Sequence, residues 1–402
     1  MIYGKIYYKG RVVEAGVEVE DGIIKKVGKE VKGKEVRGLI LPAAIDVHVH
    51  FRDFNEKHKE TIETGSLSAL YGGVCLVVDQ PNTNPVVDCY EVYDRRMKMA
   101  KKSSYVDYTL NLALTNKNAK NIGEIVKKIE KKYYLPAIGE VFTQHENDEL
   151  QITYKTLKEL SVSKLLTIHA EDPRFVGKGS PNFKYRLPKA EIEAVKKCLQ
   201  IGKYHFCHIS TIKALQMISK SNSTCEITPH HFLLSEDDFK RLDGLINVNP
   251  PLRSKDEVEK LLKNVGLAEV IASDHAPHTI EEKLNGSSGF PGVETLYPLI
   301  LGLIVKNVLN LNTIEKLTKN PAKIFGFERY GDIEVGNYAN LAIFDLKKVE
   351  KIDVEKLHSK ANWTPYEGFD AVFPEKVFIR GVEALNTEVL VDKGFGKILE
   401  CV

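Results

Sequence analysis

Eight short apolar runs follow one another between residues 41 and 275 of this chain: LPAAIDVHVH, VCLVVDQP, VDYTLNLAL, LPAIGEVF, KLLTIHAE, KYHFCHIS, CEITPHHF and AEVIASDH. The segments between them, 60–71, 121–132, 189–199, 212–220 and 255–264 among them, carry helix formers with apolar spacings of three and four. Apolar runs of strand length that alternate with helices build a parallel sheet, which is apolar on both faces because its crossover helices cover it. Eight such units predict an α/β fold, a (β/α)8 TIM-type barrel, in which chemistry gathers at the carboxyl ends of the strands.

The two ends of the chain read differently. KIYYKG and RVVEAG alternate, VEVE runs into the turn Asp21-Gly22, and IIKKVG follows, which is a hairpin signal. GDIEVGNYANLAIFD, KVFIRGVEAL and TEVLVDKG repeat the pattern after the barrel. The expected organisation is a small β-sandwich domain assembled from residues 1–43 and 330–402 around a barrel of residues 44–329.

Composition narrows the function. Of 402 residues, 43% are hydrophobic and 28% charged, enough apolar material for a large core, which excludes wholesale disorder. Lys and Arg (57) nearly balance Asp and Glu (55), which argues against a nucleic-acid or membrane-surface partner and for a small-molecule one. No run of some 18 apolar residues occurs, and the N-terminus lacks the order of a signal peptide, so a cytoplasmic protein is expected. Six cysteines without CxxC spacing predict buried free thiols.

The first barrel strand ends Asp46-Val47-His48-Val49-His50. Residues i and i+2 of a strand share a face, so both imidazoles can converge on one cation. Other metal-competent side chains stand at the ends of other strands: Glu140 on the fourth, His169 on the fifth, His208 on the sixth and Asp274 on the eighth. Imidazole and carboxylate donors without thiolates suit Zn²⁺, with Mn²⁺, Co²⁺ or Fe²⁺ as substitutes, and point to a catalytic site. Four His and two carboxylates exceed one tetrahedral ion; they suffice for two ions sharing a carboxylate and a water. Such a pair lowers the pKa of the shared water and polarises a carbonyl, as amide hydrolysis requires, with Asp274 placed to shuttle the proton to the leaving nitrogen.

In order along the chain, DVHVHFRD, DQPNTNP, TIHAED, CHIST, ITPHHFLL, NVNPPLR, ASDHAPHT and FPGVETLYP resemble the cyclic amidohydrolases of the amidohydrolase superfamily, nearest their dihydroorotase branch, and NPAKIFG and GDIEVGNYANLAIFD extend the resemblance. It implies reversible cyclisation of N-carbamoyl-L-aspartate to L-dihydroorotate, the third step of pyrimidine synthesis. His48, His50 and Asp274 would hold one zinc, and His169 and His208 the other. Arg52, Asn82 and His278 would bind the substrate carboxylate, while Asn249 and the backbone around Pro291-Gly292 would hold the ring amides. Hydantoinases and allantoinases resemble the same scaffold, but an Arg two residues beyond HxH favours an anionic substrate.

The chain departs from the family pattern at the metal bridge. Many relatives place a carbamylated lysine on strand four, whereas the aligned stretch here reads Ile138-Gly139-Glu140-Val141-Phe142. Glu140 is the bridging candidate, or else an ordinary polar residue at a strand end. The missing lysine also keeps open a non-catalytic homologue serving as a scaffold subunit, and an oligomer or a complex with another pathway enzyme is left open. After Arg52 the chain reads Asp53-Phe54-Asn55-Glu56 where relatives often carry acid–Pro–Gly, which touches the loop and not the ligands. His230 and His231 are expected to be packed or supporting groups, His145 to be solvated, and His58, His205, His275 and His358 to be structural. Segments 143–151 and 281–289 are the candidates to cover the site. Replacing Arg52 by Met should raise KM for carboxylated substrates far more than it lowers kcat; steady-state kinetics with an unchanged KM would remove Arg52 from the binding site.

Overall fold

The computed structural model describes residues 1–401 of a mixed α/β chain. All eight apolar runs contain a strand: β1 (Ala44–Val49), β2 (Val74–Asp79), β3 (Asp107–Leu110), β4 (Ile138–Phe142), β5 (Leu166–His169), β6 (His205–Phe206), β7 (Thr224–Ile227) and β8 (Val270–Ile271). They pair in chain order and in parallel, β1 to β3 as one group and β4 to β8 as another. Two parallel bridges span the gaps, Leu112 with Ile138 between β3 and β4 and Val49 with His275 between β1 and the end of β8, so pairing passes round all eight strands. At the second gap the amide of His50 donates to His275 O (2.7 Å) and that of His275 to His48 O (3.3 Å).

In β2 both faces are apolar, for the reason the sequence suggests. Cys75, Leu76, Val77 and Val78 are successive residues of one strand and all fully buried, with side chains alternating between the interior and the surrounding helices. Some of the helices begin at capped positions. Thr61 and Thr64 form a capping box at helix Ile62–Tyr71, as Thr279 and Glu282 do at helix Ile280–Leu284, and Thr211 caps helix Ile212–Ile218.

The chain ends meet in a continuous eight-stranded sheet. Strand Leu341–Phe344 pairs antiparallel with Lys34–Pro42, joining the C-terminal strands to Ile2–Tyr8, Arg11–Glu20 and Ile23–Gly28. The turn Asp21-Gly22 has φ of 52° and 77°, the left-handed pair that a tight hairpin demands. Far along the sheet the edge strand curls back: Ile24 N donates to Asn337 O (2.8 Å) and Gly336 N to Ile24 O (2.9 Å). Ile6, Val17, Ile24, Ile40, Leu341 and Ile343 fill the space enclosed by the curl, a core separate from that of the ring.

One contact has no counterpart in the sequence pattern. Residues 397–400 return to the ring at the amino end of β3: Tyr108 N donates to Lys397 O (2.9 Å), Leu399 N to Tyr108 O (3.1 Å) and Tyr134 N to Leu399 O (3.0 Å). They occupy the gap that β3 and the approach to β4 leave between them.

Of the six cysteines none is bonded; Cys75, Cys198, Cys207 and Cys225 are buried, Cys89 is half-buried and Cys401 is exposed. No helix among the described residues is long and apolar enough to cross a membrane.

Behind β1 and β2 the buried Arg96 joins two segments. Its Nε donates to Asp79 Oδ2 (2.8 Å) and its Nη1 to the carbonyl of Arg52 (2.7 Å), while Tyr108 Oη donates to Asp79 (2.6 Å). Replacing Arg96 by Leu strands the Asp79 carboxylate in the core and should cost about 3–5 kcal/mol, read from the urea unfolding midpoint.

Candidate active site

The carboxyl end of the ring is where the functional side chains collect. His48 and His50 leave β1 on one face, and both are buried. His48 Nδ1 is bonded to Glu226, which projects from β7. The opposite nitrogen, Nε2, has no hydrogen-bond partner and faces Glu140 Oε2 and Asp274 Oδ1, each at 3.6 Å. His50 Nε2 lies 3.2 Å from Asp274 Oδ1, and its Nδ1 is bonded to Asn82 Oδ1 (2.9 Å).

Glu140 stands at the centre. Its Oε1 is 3.0 Å from His169 Nδ1 and 2.6 Å from His208 Nε2. Gly139 permits this placement, since a Cβ there would sit 1.9 Å from Thr167 Oγ1 and at φ of 150°. His208 and Asp274 adopt φ of 34° and 47°, strained backbone held where side chains must aim inward.

Further groups brace these side chains. His169 Nε2 is bonded to Glu171 Oε2 (2.7 Å), and Glu171 is paired with Arg186, whose Nε lies 3.2 Å from Oε1. The resulting charge pattern is one-sided. Burial alone would push the Glu140 carboxyl up, but His48, His169 and His208 outweigh it and hold it well below the carboxylate range. Asp274 is likewise held down against burial by His48, His50 and His208, and Glu226 is drawn down to about 2 by His48 and His205 despite its burial. His169 rises to about 9, because Glu140 and Glu171 overcome its desolvation.

These groups fit a bound cation. Buried carboxylates held anionic require positive charge beside them, and the partnerless Nε2 of His48 and Nδ1 of His208 are imidazole nitrogens left without a hydrogen bond. Two overlapping sets satisfy metal-ligand proximity, His48, His50 and Asp274, and His48, Glu140 and His208, while Cys207 with His48 and Glu226 forms a third. His169 adjoins the second set through Glu140.

A cavity of about 450 Å³ opens over this cluster. Arg52, Asn82 and His278 stand in its wall near His50 and Asp274, with Arg52 Nη2 3.1 Å from His278 Nε2 and Arg52 Nε donating to Pro277 O (3.2 Å). His278 is kept neutral by burial and by the Arg52 charge, which pull its pKa well down. Asn249 also lines the cavity.

Pro291 and Gly292 do not. Gly292 N donates to His275 Nδ1 (3.1 Å), turning this turn into a separate small cleft beside Ser68 and Glu294, and residues 286–289 take the cavity wall instead. His145 also departs from expectation, since it is half-buried in the wall, edge-on to Phe142 at 4.5 Å. The cause is the fold-back of its loop, in which Ile152 N donates to Phe142 O (2.8 Å). His230 and His231 are buried behind the cluster on Thr228 Oγ1, and His231 Nε2 is bonded to Pro250 O (2.9 Å).

Glu226, Glu171 and Arg186 escaped the sequence reading. The first two had a signal: Glu226 is a charged residue inside an apolar strand run, and Glu171 follows His169 by two.

The amidohydrolase family model matches residues 39–383, a span that contains every residue of this cluster. The chain belongs to the amidohydrolase family. Within that family it is 60% identical over 395 residues to a dihydroorotase of Archaeoglobus fulgidus, covering 97% of this chain and 98% of the relative. A dihydroorotase of Methanosarcina acetivorans is 37% identical, with 98% and 94% covered. Among solved structures, the L-hydantoinase of Arthrobacter aurescens superposes with a TM-score of 0.91 over 99% of each chain at 22% identity, a likeness of fold.

Glu226→Gln keeps the size of the side chain behind His48 and removes its charge. Titration with a chelator competitor should then show metal affinity weakened about 10- to 100-fold; an unchanged affinity would reduce Glu226 to a packing residue.

Proposed function

We propose that this amidohydrolase catalyses the reversible ring closure of N-carbamoyl-L-aspartate to L-dihydroorotate, as a dihydroorotase of pyrimidine synthesis. The observation that carries the reading is the pairing across one cavity of a carboxylate-binding group, Arg52 with Asn82 and His278, and the His/carboxylate cluster. A ring bearing a free carboxylate answers both walls, whereas a neutral hydantoin leaves a buried guanidinium without an anion. The 60% identity to a dihydroorotase supports the same substrate.

His48, His50 and Asp274 would hold one Zn²⁺ and His169 and His208 a second, with Glu140 between them in place of a carbamylated lysine. When bound, the ions supply Lewis acidity toward the scissile carbonyl and toward water. The chain's own groups do the rest. Arg52, Asn82 and His278 anchor the carboxylate and so fix which ring carbonyl meets the cluster. Asp274 Oδ1 is engaged by His50, which leaves Oδ2 to receive a proton in the hydrolytic direction and pass it to the ring nitrogen as the C–N bond breaks. In the cyclising direction the same carboxylate takes the proton from the ureide nitrogen. The loops at residues 144–146 and 286–289 line the cavity.

The strand order and the two bridges support a (β/α)8 barrel over residues 44–329. The curled terminal sheet with its own core supports a small β-sandwich-like domain from residues 1–43 and 330–402. Its partners are these small anions.

Purified protein should hydrolyse L-dihydroorotate and leave unsubstituted hydantoin and allantoin untouched. Glu140→Ala should lose both bound zinc, by elemental analysis, and turnover. Turnover of hydantoin in preference to dihydroorotate would overturn the substrate, and full activity with unchanged zinc in Glu140→Ala would overturn the bridging role.

A further inference from the structure

One part of the cavity wall, at Asn249, is shaped by an amide pair. Asn182, 7% exposed, supports Asn249 and is not itself in the wall. One end of its side chain is 2.6 Å from the carbonyl oxygen of Val248. A carbonyl only accepts, so the atom of Asn182 at that point is Nδ2. The same Nδ2 lies 2.7 Å from the side chain of Asn249, where the accepting atom is therefore Oδ1. Asn249 Nδ2, on the other arm of a planar amide, is turned away from Asn182. It takes no partner within the protein, and Asn249 is part of the cavity wall.

The pair is held rigidly. Asn182 N donates to Asn247 Oδ1 (2.9 Å), and Asn247 Nδ2 reaches Ser180 Oγ (3.0 Å). Lys283, fully buried, donates to the carbonyls of Asn247 and Gly289, the latter at 2.9 Å, and its Nζ lies 4.8 Å from the Phe290 ring centre. Three segments of the wall are thereby tied together, and Asn249 is denied the rotation by which a free amide would present either face.

We infer that Asn182 is a positioning residue for specificity: it fixes Asn249 with its N–H toward the cavity, so this wall accepts a ligand only where the ligand offers a carbonyl oxygen. The inference rests on the proposed reaction for the identity of that oxygen. With the carboxylate at Arg52 and the scissile carbonyl at the His/carboxylate cluster, the acceptor left on the ring is the ureide carbonyl. A donor that the bound ligand covers without meeting it loses its solvent partner, so the wall rejects analogues lacking the acceptor.

The test compares dihydroorotate with its 2-thioxo analogue, in which sulfur replaces the ureide oxygen and accepts poorly. The parent enzyme should bind the thioxo compound about tenfold more weakly. In Asn182→Ala, KM for dihydroorotate should rise about tenfold with kcat within about threefold, and the preference for oxygen over sulfur should collapse toward unity. Asn182→Asp is nearly isosteric yet offers acceptors alone; it should turn Asn249 around and raise KM beyond the alanine variant. A preference for oxygen that survives in Asn182→Ala, or a loss confined to kcat, would overturn the proposal.

A second measurement is independent of both substrate and variant stability. With asparagine selectively labelled with ¹⁵N in the parent protein, the side-chain NH₂ protons of Asn182 should exchange slowly and those of Asn249 fast. The reverse order would overturn the orientation. Failure of the parent to turn over dihydroorotate, with this exchange order intact, would remove the proposed reaction and leave the orientation standing.

Discussion

A single buried carboxylate, Glu140, sets the terms for the active end of this molecule. Removed from water, it is tolerable only with polar partners around it, and three imidazoles provide them: His169 at 3.0 Å, His208 at 2.6 Å and His48 at 3.6 Å. Each imidazole comes from a different strand of the ring, so the arrangement exists only if β1, β4, β5 and β6 end at one level. Parallel pairing in chain order guarantees that level, and the bracing pairs Glu226–His48 and Glu171–His169 then fix which ring nitrogen faces inward.

Glu140 supplies the central carboxylate from the chain itself. The backbone sets it in place at Gly139, whose lack of a Cβ lets β4 press against Thr167. Asp274 enters from the other side on similarly constrained backbone, at φ of 47°. The site is thus assembled by tight backbone approach as much as by long side chains.

Much of this was legible in the sequence, and for identifiable reasons. Strand runs between helical segments are a period signal, and all eight appear where the pattern places them. The residues at strand ends, His48, His50, Glu140, His169, His208 and Asp274, lie together in the structure because strands paired in parallel bring their carboxyl ends side by side. What stayed hidden depends on contacts between distant segments. Glu171 and Arg186 meet across 15 residues of the one loop after β5, and Asn182 and Asn249 meet where the loops after β5 and β7 touch. Pro291 and Gly292 fall outside the cavity because His275 captures the Gly292 amide, and His145 enters the wall because its loop folds back on Phe142. Neither event leaves a periodic trace.

The segment at residues 397–400 has a consequence of a different kind. It fills the space between β3 and the approach to β4, more than 250 residues after both have been made. A chain emerging from the ribosome can therefore lay down every strand and helix of the ring and still present open amides at Tyr108 and Tyr134. Until residues 397–400 arrive those amides have no backbone partner, so the order of synthesis becomes part of how the ring is sealed.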